Sequence, residues 1–129
     1  MLVYFKDTEL QCPLTKKVQL ACGFGEKLDK LRQAFGHVMI VNSCCRSFEY
    51  NKKIGGHERS FHVSDKPFRA TGGASAVDIS TRFMDKFLRE KLIFIACMNG
   101  WSIGLGEGFL HLDRRVDYTA LNQTVFNYK

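Results

Sequence analysis

No stretch of this 129-residue chain approaches the eighteen or so consecutive apolar residues that a membrane-spanning helix requires, so no membrane span is expected. The opening MLVYFKDTEL lacks a basic stretch followed by a long apolar one. No secretory signal is therefore expected, and synthesis in the cytoplasm is. No Cys-x-x-Cys pair occurs among the five cysteines, which argues against a zinc ribbon or a thioredoxin-like redox site. Their odd number and irregular spacing, with Cys44 and Cys45 adjacent, read as reduced thiols. Gly104-Leu-Gly106-Glu-Gly108 has neither the spacing nor the following helix of a dinucleotide fingerprint, and no Walker-type lysine follows a glycine cluster. Repeats, low-complexity tracts and linkers are missing too, and the length suits one domain over 1–129 with one core.

What is present is a globular composition, with 45% hydrophobic and 25% charged residues. The formal net charge of +6 suits an anionic partner. The basic residues are scattered, however, without an RNA-binding signature or a basic helix, so no nucleic-acid partner is expected.

Apolar spacing predicts a helix over Glu26 to Phe35, stopped by Gly36, and a buried strand over His37 to Asn42. Val3 to Lys6 reads as a short strand or extended lead-in. From Ser43 to Gly73 no period persists, and a stretch this long inside a compact domain usually carries function or contains short helices. Ala74 to Ser80 resumes as a strand. Ser80 or Thr81 then caps a helix over Arg82 to Met98, whose apolar face is Phe83, Phe87, Leu88, Leu92 and Ile95. Ser102 to Leu105 and Phe109 to Asp113 form a hairpin around Glu107. Helices and strands mix without a βαβ rhythm, which predicts an α+β fold with a small antiparallel sheet packed by helices.

Asp78 stands in an otherwise apolar strand, where a carboxylate is costly unless paired or bound to metal. His111 and Asp113, two apart, share a strand face. Two imidazoles and a carboxylate from separate segments suit a catalytic zinc site with a place for water. The same residues equally describe surface histidines and a salt-bridged aspartate. His37 reads as structural, and a Cys44 or Cys45 nucleophile has no orienting motif beside it.

Taken together, Ser43-Cys-Cys-Arg46, Asn51, Gly55-Gly56, Ser60-Phe-His62, Ala76-Val-Asp78-Ile79, Gly104 and Phe109-Leu-His111-Leu-Asp113-Arg-Arg115 resemble the M15 metallopeptidases, the D-alanyl-D-alanine carboxypeptidase and phage endolysin group. The resemblance implies the α+β fold shared with the hedgehog signalling domain, one zinc ion (Zn2+), and cleavage of amide bonds in peptidoglycan peptides. It implies His62, Asp78 and His111 as the metal ligands. It makes Arg46 a grip for a substrate carboxylate or the developing oxyanion, with Ser60 also binding substrate. A monomeric enzyme that reaches the cell wall as a phage lysin or virion-associated protein fits this picture; a zinc-holding module without turnover is the alternative.

The chain departs from the family in two places. Fifteen residues separate His62 from Asp78, more than is usual, which makes Asp65 a rival to Asp78, while His57 rivals His62. The position three before the last histidine, a glutamate in some members, is Gly108. Asp113 is then the preferred general base or a partner that orients a ligand, with Glu107 the second choice.

Overall fold

The computed structural model describes residues 2–65 and 72–128, and the fold is α+β. Much of the stretch at 63–71, with Lys66, Pro67 and Arg69, lies outside the described residues. Five strands, β1 (Ile40–Ser43), β2 (Ala76–Ser80), β3 (Ser102–Gly106), β4 (Phe109–Asp113) and β5 (Val125–Asn127), form one sheet in the order β1-β2-β4-β3-β5. The first four pair antiparallel, and β5 adds parallel to β3, so the sheet is mixed.

Side chains alternate across each strand. Val77, Ile79, Ile103, Leu110 and Leu112 point into the core. There they join Leu28, Leu31 and Phe35 of α2 (Phe24–Phe35) and Leu92 and Ala96 of α4 (Lys86–Met98). Burying that set forces Asp78, Gly104, His111 and Asp113 onto the opposite face. The register then aligns them: Asp78 faces His111 across β2 and β4, and His111 faces Gly104 across β4 and β3.

Helix α2 forms where its apolar spacing predicts and closes on Gly36, whose left-handed φ of 77° suits a residue without Cβ. The strand expected to be buried is instead a half-exposed edge: Val38 and Ile40 face solvent and only Met39 is buried in that run. An edge strand with one covered face cannot bury every apolar residue it carries. Helix α4 begins later than expected, because Asp85, not Ser80 or Thr81, caps it by accepting from the Leu88 amide at 2.8 Å. That shift leaves Phe83 outside the helix and Phe87 on its outer side, both exposed, while Leu92 alone of the expected face is fully buried.

The lead-in at 3–6 is not a strand. Short helices not foreseen are α1 (Asp7–Leu10) and α5 (Arg115–Tyr118), while α3 (Phe48–Lys53) is a short helix of the kind expected within 43–73. Helix α3 lies inside the aperiodic stretch and is capped by Ser47, whose hydroxyl accepts from Tyr50. A parallel bridge between Arg46 and Val63 returns the chain beside the end of β1, which brings His62 to the sheet.

Candidate metal centre

His62, Asp78 and His111 offer ligand atoms that all lie within 4.8 Å of one another. Asp78 comes from the centre of β2 and His111 from the centre of β4, and His62 arrives on the loop after α3. Asp78 Oδ1 lies 3.1 Å from His62 Nε2 and 3.0 Å from His111 Nδ1. The outer nitrogens are also occupied. His62 Nδ1 faces the Cys44 carbonyl at 2.8 Å, and His111 Nε2 faces Asp113 Oδ2 at 2.7 Å.

All four ring nitrogens thus point at oxygen atoms that can only accept, while a neutral imidazole carries one N–H. Burial pushes His62 down, against the pull of Asp78, and keeps it neutral. For His111, burial acts downward as well, but its bonds to Asp113 and Asp78 outweigh it and raise the ring above its ordinary value. Even with His111 protonated, one His62 lone pair still faces an oxygen lone pair. A cation between His62 Nε2, His111 Nδ1 and Asp78 Oδ1 removes that conflict. The 3.1 and 3.0 Å between Asp78 Oδ1 and the two ring nitrogens are close to the spacing of about 3.3 Å expected of two donors to one zinc ion. The donor set fits a metal.

The outer contacts match what metal-bound imidazoles need, since each ring gives its other N–H to a carbonyl or a carboxylate. Burial would raise the Asp78 carboxyl, yet the His62 and His111 rings hold it well below the carboxylate range. Its second oxygen is held by Arg46 Nη2 at 3.3 Å.

A family model described as Peptidase M15 matches residues 4–113 of the chain. The chain belongs to the M15 peptidase family. No curated protein matches it.

The cleft of this M15 peptidase has a volume of about 1020 Å³ and is lined by Arg46, Ser60, His62, Asp78 and His111 together with other polar and aromatic side chains. Neither Asp113 nor Glu107 lines it. Asp113 sits behind His111, fully buried, and both its oxygens are engaged: Oδ2 by Arg115 Nη2 and His111, Oδ1 by the Arg115 amide and Nε. Of the two roles the sequence leaves open for Asp113, this geometry favours orienting a ligand. Glu107 is exposed in the turn between β3 and β4.

The rivals lie outside the His62, Asp78 and His111 cluster. Asp65 is exposed and accepts from the Phe48 amide at 2.7 Å, at the start of α3. His57 lines the cleft but is exposed, and its Nδ1 accepts from the Arg59 amide. His37 is exposed and packs edge-on against Phe35. Cys44 and Cys45 are buried in the core, where Cys44 serves through its carbonyl.

Arg46 also reaches Ser43 Oγ at 3.0 Å and Asn51 Oδ1 at 3.2 Å, which locks its guanidinium beside Asp78. Asn51 in turn donates to the His57 carbonyl. Arg46→Lys keeps the charge but loses this fork. We expect the variant to fold and bind metal, with turnover reduced on the order of a hundredfold, as for a lost oxyanion donor. Steady-state rates beside metal content would check this, and parental activity would make Arg46 purely structural.

Sequence reasoning missed Phe126 and Tyr128, which line the cleft from β5 and the residue after it. Their signal is the period-two run TVFNY, which puts Thr124, Phe126 and Tyr128 on one face.

Proposed function

We propose that this M15 peptidase is a zinc enzyme that hydrolyses amide bonds in peptidoglycan stem peptides. The observation that carries the metal is the surplus of acceptors over protons around His62 and His111. His62, Asp78 and His111 would hold the zinc, which would supply Lewis-acid chemistry and water activation at this site. The chain's own residues do the remaining work. Arg46 fixes Asp78 through Oδ2, so that Oδ1 stays turned toward the two histidines. It lines the cleft beside Asp78, where its guanidinium can meet the carbonyl oxygen as charge develops. Asp113 and Arg115 hold the His111 ring from behind.

Charge supports the substrate class. Among the described residues lining the cleft, Arg46, Arg59 and Arg115 bring positive charge and Asp78 is the only carboxylate. Peptidoglycan stem peptides carry free carboxylates, and the wall as a whole is anionic, which suits a protein of net charge +6. Action at the cell wall follows from that substrate, and a phage lysin or virion-borne peptidase is the form we propose.

Digestion of purified muropeptides, followed by mass spectrometry of the products, tests the proposal. We expect products that have gained one water per cut, no cleavage after chelation, and recovery when zinc is restored. Protein that holds zinc yet leaves every muropeptide intact would instead be the non-catalytic module of this fold.

A further inference from the structure

The family match ends at Asp113, but the cleft does not. Arg115, Thr119, Leu121, Thr124, Phe126 and Tyr128, all beyond the matched region, complete its lining. The segment is tied down. The Ile103 amide donates to the Thr124 carbonyl at 2.9 Å, and the Tyr128 amide donates to the Leu105 carbonyl at 3.0 Å. Gln123 Nε2 reaches the Cys97 and Trp101 carbonyls at 2.7 and 3.0 Å. In this register Phe126 lies beside Gly104, which itself faces His111.

Phe126 and Tyr128 form an aromatic wall with Phe109. The Tyr128 ring lies 5.2 Å from Phe109 and 5.4 Å from Phe126, centre to centre. Both also meet the metal-site ring, with His111 5.9 Å from Phe126 and 6.1 Å from Tyr128. Arg115, which stacks between Phe61 and Phe126 at 4.9 and 5.4 Å, is already paired to Asp113. The cleft thus has an ion-paired group at Arg46 and Asp78, and a run of aromatic rings whose neighbouring cation, Arg115, is held by Asp113.

Gly104 makes room for the wall. A Cβ there would come within 2.5 Å of Tyr128 Cε2 and 2.8 Å of Phe126 Cζ, too close for either ring to stay. The three atoms nearest to it all belong to Tyr128 and Phe126.

We propose that Phe126 and Tyr128 are specificity-determining residues, forming an apolar wall that seats an uncharged aliphatic side chain of the peptide beside the scissile amide. This rests on the peptidase reading of the same site. Rings tilted against one another and against His111 offer surface but few hydrogen-bonding atoms, so a charged side chain placed there would lose its water without gaining a partner. An aliphatic side chain would gain contact.

The test uses the zinc-loaded full chain and synthetic peptides that differ at one residue next to the cleaved bond: alanine, glutamate or lysine. The parent should prefer alanine. Phe126→Ala and Tyr128→Ala should each lower kcat/KM for the alanine peptide roughly tenfold or more, largely through KM, with little change for the charged peptides. Tyr128→Phe should behave as the parent, and Gly104→Ala should reproduce the loss, all with parental zinc content. Should Phe126→Ala fail to fold, Tyr128→Ala carries the test alone, because that side chain is 47% exposed and little of the core depends on it. Unchanged discrimination in folded, zinc-loaded Tyr128→Ala would overturn the wall while leaving the peptidase reading intact. A parent that cuts none of the peptides, nor muropeptides, would overturn both.

Discussion

His62→Ala and His111→Ala should each lose zinc and, with it, all measurable peptide hydrolysis. Partners outside a metal's own ligands are typically worth 10–100-fold in affinity, and loss of one of three ligands should exceed that. Metal analysis after dialysis, beside rates on a muropeptide, reads both effects. Asp78→Asn should follow the same course, because a neutral amide is a weaker ligand and Arg46 Nη2 would lose its carboxylate partner. Thermal unfolding adds an independent readout. A ligand that binds only the folded state raises Tm, so chelation should lower the Tm of the parent and leave that of the three variants where it was. Normal zinc content in both histidine variants would dismiss the centre.

Asp113→Asn should weaken metal binding and destabilise the fold, without removing the proton acceptor of the reaction. The carboxylate is wholly buried between Arg115 and His111. Removing its charge leaves the guanidinium half-paired, and breaking a buried pair costs roughly 3 kcal/mol or more. The orienting contact to His111 goes too, and zinc affinity should fall roughly 10–100-fold.

The two possible roles separate at saturating zinc. A positioning residue predicts recovery of most turnover there, whereas a persistent loss of a hundredfold or more with full zinc would make Asp113 the general base. Glu107→Gln, exposed and outside the cleft, should change turnover less than tenfold. Acidity gives a further check. Burial raises the Asp113 carboxyl, but His111 and Arg115 outweigh it and hold it down to about 2. Its contribution is therefore complete above the ordinary carboxylate value of about 4 and disappears as pH falls toward 2. The stability gap between parent and Asp113→Asn should close over that same range.

Much of the centre was written into strand alternation. In AVDIS and FLHLD, burial of Val77, Ile79, Leu110 and Leu112 leaves Asp78 and His111 only the opposite face, whatever the rest of the chain does. The order of motifs from Ser43 to Arg115 was also enough to point to the family that the match over 4–113 establishes. Local pattern was less able to say what a neighbour covers. The run HVMIVN has the composition of an inner strand but lies at the sheet edge, and Phe83 and Phe87 continue a helical stripe in the sequence yet are exposed.

Three features of the site needed the tertiary structure. His62 reaches Asp78 because the Arg46–Val63 bridge and the Cys44 carbonyl fix a loop whose own sequence has no period. Asp113 turns away from the cleft because Arg115, two residues on, claims both of its oxygens. The aromatic wall exists because β5, only three residues long, docks parallel on β3 over Gly104. Alternation along a strand is a property of the chain and can be read from it residue by residue. Which strand edge, carbonyl or guanidinium a side chain meets depends on partners distant in sequence, and only packing brings them together.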